Sequence, residues 1–245
     1  MYNFFITKDE IKDGYVNITG ADYNHAVLVL RLKIGEKFLV SDGELSHLCS
    51  LEKIENDSMI AKIICQNYQD TSLPIKIHLF QGLPKSDKME LIIQKAVELG
   101  VKEIIPVEME RCVVKLDNKK KNGKTERWQA IAESAAKQSK CNSIPTVSSV
   151  LTYEQMLEKA KTLDLFIVPY ECEKGMQATK AALEKMKSGM SVGVLIGPEG
   201  GFSQKEIDRI KNTADIVSLG KRILRAETAA ITAVSMIMLY AEMNL

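Results

Sequence analysis

The spacing of apolar positions changes near Leu73-Pro74. Before that point they fall in short runs between turn-forming residues. A strand is predicted over 37–40, running into the Asp42-Gly43 turn, with others over 48–54 and 59–65 around Glu55-Asn56-Asp57. Short strands at this spacing predict a small barrel. Residues 23–32 read as a helix begun by Asp22 and ended by Gly35.

After Pro74 the period becomes helical between strands. A strand over 75–80 is broken by Gly82-Leu83-Pro84. Asp87 with Glu90 reads as a capping-box-like start. Met89, Ile92, Ile93, Ala96, Val97 and Leu99 then recur at helical spacing up to Gly100. Strands are expected over 103–107, 163–168, 191–196 and 216–219. Helices are expected over 125–139, 153–161, 176–187, 204–212 and 227–243. Alternation of this kind predicts an α/β fold, a parallel sheet with both faces covered. The division expected is a β domain over 1–72 and an α/β domain over 73–245. Ala229–Leu239 is apolar nearly all round, so that helix needs cover, either from its own core or from a partner subunit.

Composition narrows the class. Charged residues make up 27% and hydrophobic ones 45% of 245 residues, a globular balance. Five cysteines without a CxxC and three histidines without an HxxxH pair give no disulfide framework and no metal site. The apolar start meets Lys8-Asp9-Glu10 too soon for a signal peptide. The longest apolar stretch, 229–241, carries Thr232 and Ser235 and is shorter than the roughly 20 residues that span a bilayer. No membrane role and a cytoplasmic, reducing location are expected.

The net charge of +1 argues against a basic coat for gripping nucleic acid. It is an average of unlike parts. Residues 1–75 carry 7 basic and 11 acidic groups, 76–145 carry 14 and 9, and 146–245 carry 12 and 12. The basic excess lies around Lys85, Lys88, Arg111, Lys115 and 119–124. It reads either as solvated surface or as a local phosphate-binding face.

Two stretches carry candidate chemistry. Gly197-Pro198-Glu199-Gly200-Gly201 follows a predicted strand, and Ser203 with Glu206 forms a capping box after it. Ligands bind at such carboxyl ends of parallel strands, although a tight turn alone would also use these glycines. The loop fits neither GxGxxG nor the phosphate loop, and Glu199 suits a cationic or zwitterionic ligand better than a phosphate. The second stretch runs from Leu219-Gly220 through Lys221, Arg222, Ile223, Leu224 and Arg225 to Glu227. Glu227 is favoured by the dipole at a helix start, whereas Arg225 opposes it and so points to a substrate oxygen or a carboxylate.

These stretches together resemble the RsmE family of ribosomal RNA methyltransferases, of the knotted SPOUT superfamily. The resemblance rests on Leu195 through Ser203 with Glu206, and on Leu219-Gly220 through Arg225 to Glu227-Thr228-Ala229. Upstream it takes in Gln81-Gly82, Lys85, Lys88, Met89-Glu90, Gln94-Lys95, Glu98-Leu99-Gly100, Glu110-Arg111-Cys112, Trp128, Gln138-Ser139 and Pro145. It extends to His25, Val29-Leu30-Arg31 and Gly35 in the N-terminal part. One departure stands out: Cys141 and Ser143 lie where the family usually carries arginines, which weakens an RNA role for that segment but not the cofactor site.

The resemblance implies a SPOUT-type parallel sheet with a C-terminal deep trefoil knot, behind a PUA-like RNA-binding β-barrel. It implies transfer of a methyl group from S-adenosylmethionine to N3 of a uridine in 16S (small-subunit) ribosomal RNA, within the small ribosomal subunit. The cofactor would be held by Ile196, Gly197, Glu199, Gly200, Leu219, Gly220, Ile223 and Leu224, with Pro169-Tyr170-Glu171 a third loop nearby. Arg225 would stabilise charge on the uridine carbonyls; Glu227 would accept the N3 proton or orient Arg225. Arg31, Lys85 and Arg111 would touch RNA. Cys112, though in the pattern, is expected to be a buried structural residue. A homodimer through the knot helices is implied, and no metal. The competing readings are a SPOUT 2′-O-methyltransferase and a non-catalytic, ribosome-associated RNA-binding module.

Overall fold

The computed structural model describes every residue from Met1 to Leu245, the side chain of Asn118 excepted. The chain forms two compact units. The first comprises Met1–Ser72 with Ala136–Ile144, the second Leu73–Ala135 with Pro145–Leu245.

In the first unit the strands are β1 (Asn3–Phe5), β2 (Ile11–Lys12), β3 (Tyr15–Thr19), β4 (Lys37–Ser41), β5 (Ser46–Ile54) and β6 (Ser58–Cys65). They form one sheet in the order β1-β4-β5-β6-β3-β2. β1 runs parallel to β4 and the other pairs are antiparallel. Phe4, Val16, Ile18, Phe38, Leu51 and Met59 fill its core, and Phe4 meets Phe38 edge-on at 5.4 Å. The helix expected over 23–32 is displaced. A short helix α1 (Gly20–Asn24) comes first, and a widened turn His25–Val29 follows, in which Leu30 N–H donates to the His25 carbonyl. Asn142 is buried in this unit, with its side-chain amide donating to Asp70 at 2.8 Å. The segment that departs from the family pattern is thus tied into the first unit by hydrogen bonds.

The second unit is α/β. Its strands are β7 (Lys76–Gly82), β8 (Glu103–Glu108), β9 (Thr146–Val147), β10 (Leu151–Thr152), β11 (Leu165–Pro169), β12 (Ser191–Ile196) and β13 (Asp215–Val217). Between and after them lie α2 (Lys88–Glu98), α3 (Asn118–Ser139), α4 (Tyr153–Ala160), α5 (Gln177–Glu184), α6 (Gln204–Ile210) and α7 (Ala226–Asn244). The sheet order is β10-β8-β7-β12-β11-β13, with β9 beside β8, and every pair is parallel. Five consecutive buried residues in β12, Val192 to Ile196, mark a strand covered on both faces. Phe80 packs edge-on against Phe166 at 5.5 Å in this core.

One local expectation fails for a physical reason. Asp87 makes no side-chain cap on α2: its backbone is not extended and the Glu90 N–H donates to the Asp87 carbonyl at 3.0 Å, while the Glu90 carboxylate pairs with Arg127 at 2.7 Å. α7 is covered on one side only. Ala226, Ala230, Ala233, Val234, Ile237 and Ala241 are buried against α2, β7 and β12, while Leu239 is 49% and Met243 73% exposed. Among the described residues no helix is long and apolar enough to cross a membrane.

Candidate functional site

Parallel strands release their loops at one edge. Gln81 lies opposite Ile196, and Pro169 opposite Val217, so β7, β12, β11 and β13 end together. The loops after β11, β12 and β13 meet there around a cavity of about 510 Å³. That is within the usual size range of small-molecule sites. Its lining includes Ile196, Gly197, Glu199, Gly200, Leu219, Gly220, Ile223, Leu224 and Arg225, together with Pro169, Tyr170 and Glu171. The two glycine stretches, separate in sequence, therefore share one cavity.

The first loop is fixed at its far end by α6. Ser203 N–H donates to the Glu206 carboxylate at 2.8 Å and its hydroxyl accepts from Glu206 N–H, which completes the capping box read from the sequence. The same Glu206 accepts from Glu110 N–H at 2.9 Å, and the Ser203 hydroxyl donates to Glu110 at 2.7 Å. The Glu110-Arg111-Cys112 step thus braces the loop. Cys112 is buried, and burial pushes its thiol up, which suits a structural residue rather than a nucleophile. Arg111 crosses Gly200 and donates to its carbonyl at 3.1 Å. In the second loop Gly220 has φ +107, a conformation that side chains disfavour.

Charge is arranged around Lys88. Its ammonium lies 3.0 Å from Glu199 and 3.4 Å from Glu227. Glu199 also accepts the Lys85 N–H at 3.0 Å. Burial alone would push the Glu199 carboxyl up; the Lys85 N–H and the Lys88 ammonium hold it below the usual carboxylate range. Glu227 pairs with Lys88 and not with Arg225. Arg225, at the N-cap of α7, is exposed and makes no ion pair among the described residues.

Glu227 is not in the cavity lining, but it reaches the cavity through Lys88. Lys85 and Arg111 are exposed and stand behind the first loop rather than in the cavity. Arg31 belongs to the first unit, where it is exposed in a left-handed conformation, φ 56. Lys88, Phe202 and Ser218 also line the cavity and were not singled out as site residues. Lys88 carried a readable signal, a cation in the first turn of a helix, where the dipole disfavours it.

The cavity fits S-adenosylmethionine by its donor set. Ile196, Leu219 and Leu224 offer apolar surface, the glycine loops bring backbone close, and Glu171 and Glu199 place carboxylates where a sulfonium cation is tolerated.

Comparison with known proteins agrees along the whole chain. A family model described as an RNA methyltransferase domain matches residues 71–238, and one described as an RNA methyltransferase PUA domain matches 18–64. Ribosomal RNA small subunit methyltransferase E of Bacillus subtilis is 37% identical over 99% of this chain and 98% of its own length. The enzyme of the same name from Mesomycoplasma hyopneumoniae is 32% identical over 94% and 96%. A Neisseria gonorrhoeae ribosomal RNA small subunit methyltransferase E, solved bound to S-adenosylmethionine, is 30% identical and covers both chains fully at TM-score 0.81. With its parallel α/β unit and its PUA-type N-terminal unit, the chain belongs to the RsmE family of ribosomal RNA small subunit methyltransferases.

Proposed function

We propose that the protein transfers the methyl group of S-adenosylmethionine to N3 of a uridine in 16S ribosomal RNA. The observation that carries this reading is the meeting of the loops after β11, β12 and β13 on one cavity, with Arg225 unpaired at its edge. Those are the positions at which the resemblance places the cofactor. When bound, S-adenosylmethionine supplies an electrophilic methyl group.

The chain's own residues do the rest. Ile196, Gly197, Glu199, Gly200, Leu219, Gly220, Ile223 and Leu224 hold the cofactor, and a fixed alignment of donor and acceptor supplies much of the rate. Uridine N3 carries a proton, and its loss puts negative charge on the flanking carbonyl oxygens. Arg225, with no ion pair among the described residues, stabilises that charge. Glu227 pairs with Lys88 and not with Arg225, which counts against orientation of Arg225 as its role and leaves proton acceptance. Arg31, Lys85 and Arg111 contact RNA.

The reading extends to the chain's topology and assembly. We extend it to a C-terminal deep trefoil knot, a reading supported by segment 218–225 lining the same cavity as the loops after β11 and β12. Tyr170 N–H donates to the Val217 carbonyl beside it. The uncovered side of α7, with Leu239 and Met243 exposed, supports a homodimer through these helices. The substrate lies within the small ribosomal subunit and the protein acts in the cytoplasm.

The test is mass spectrometry of 16S ribosomal RNA from a deletion strain, with the purified protein added back. Loss and return of one N3-methyluridine is expected. A missing 2′-O-methyl nucleoside would transfer the chain to that other chemistry, and no missing modification would leave an RNA-binding module.

A further inference from the structure

Lys88 opens α2, where its charge opposes the helix dipole and costs stability. Something must hold it there. Its ammonium bridges two carboxylates from distant parts of the chain, Glu199 after β12 and Glu227 in the first turn of α7. Glu227 Oε2 is buried with no hydrogen-bond partner of ordinary geometry, and the Lys88 ammonium at 3.4 Å is the cation it faces. Glu199 is anchored independently by the Lys85 N–H. Its carboxylate therefore serves as a fixed post, and Lys88 spans from it to Glu227. Without the ammonium, two carboxylates would face one site with no cation between them, one with an oxygen already removed from water.

We infer that Lys88 is a positioning residue for the methyl transfer, holding Glu227 in place for the N3 proton by bridging it to Glu199. The inference rests on the proposed function for the proton, but not for the bridge itself. Lys88 is not itself required to touch substrate. Glu199 keeps its anchor on the Lys85 N–H without Lys88, so binding of S-adenosylmethionine is expected to depend on Lys88 less than the transfer step does.

The test compares Lys88→Met, Lys88→Arg and Lys88→Met with Glu227→Gln. For Lys88→Met, kcat is expected to fall by about 10- to 100-fold while the calorimetric Kd for S-adenosylmethionine changes by less than about threefold. Lys88→Arg should recover much of the rate, since a guanidinium can also bridge two carboxylates. In the protein without cofactor, Lys88→Met should lower Tm, and adding Glu227→Gln should restore part of the loss by removing the unpaired buried charge. A Lys88→Met enzyme with wild-type kcat, or a Tm loss that Glu227→Gln deepens, would overturn the inference. If Lys88→Met does not fold, a Lys88→Arg enzyme slowed as severely as Glu227→Ala would overturn it too. A wild-type protein that methylates another atom would defeat the proposed function, yet leave the Tm comparison to decide on the bridge.

Discussion

Arg111 and Gly200 are in direct contact: the arginine donates to the glycine carbonyl at 3.1 Å, and a Cβ on Gly200 would stand 2.8 Å from Arg111 Cβ and 2.9 Å from its carbonyl oxygen. Neither neighbour is a flexible side-chain tip, so Gly200→Ala must move the loop. Overpacking of this kind costs about 1–3 kcal/mol of fold stability. Gly200→Ala is expected to lower Tm and, by moving a loop that lines the cavity, to weaken S-adenosylmethionine binding, measured by calorimetry. Binding at wild-type strength would show that the loop's backbone does not touch the cofactor.

Arg225 is exposed and makes no ion pair among the described residues, so its loss should leave the fold intact. Arg225→Ala is expected to slow methyl transfer by about 10²- to 10³-fold, as removal of one charge-stabilising donor does elsewhere. Glu227→Ala should slow it steeply as well. Circular dichroism checks the fold and single-turnover kinetics the rate. Normal activity in both variants would remove them from the transfer step.

Acid should act at the opposite edge of the sheet. Burial alone would push the Glu103 carboxyl up. Hydrogen bonds from His78, Lys159 and Ser148, with the Lys159 charge, hold it at about 2 instead. A carboxyl depressed in the folded state stabilises above its unfolded value near 4.5 and loses that contribution as pH falls toward 2. With solvent screening the contribution is on the order of 1–2 kcal/mol. Urea unfolding between pH 6 and pH 3 should show the wild type losing its advantage over Glu103→Gln; a gap that stays constant would contradict the ion cluster.

Three proposed RNA contacts per protomer imply a salt slope of roughly −2 per protomer, since each phosphate contact contributes about −0.7 to −0.9. Binding of 16S fragments should therefore weaken modestly with salt. A slope steeper than about −6 would mean broad charge-driven binding instead.

Local grammar was readable where the interactions it names are local. Ser203 and Glu206 cap each other across one helical turn, and the structure keeps them so. Asp87 and Glu90 obey the same rule on paper, yet the Glu90 N–H bonds the Asp87 carbonyl and Arg127 holds its carboxylate from far along the chain. β1 was unreadable for a similar reason, because Asn3–Phe5 becomes a strand only beside β4. The cavity lies between these cases. Each glycine loop stands out in the sequence, but their meeting depends on the sheet order. Residue-level reading alone gave no way to see that Lys88 faces both Glu199 and Glu227.

The sheet order also governs how the protein comes into being. β7 sits between β8 and β12, with Lys76 opposite Ser191 and Gln81 opposite Ile196. During synthesis β8 is available early, but the other edge of β7 stays open until most of the second unit has left the ribosome. An apolar strand held with one open edge is a template for mispairing, and distant pairings close slowly. Newly made chains should thus pass through a long, aggregation-prone interval. Variants that weaken the β7–β12 pairing would show up as low soluble yield before any loss of activity in the molecules that fold.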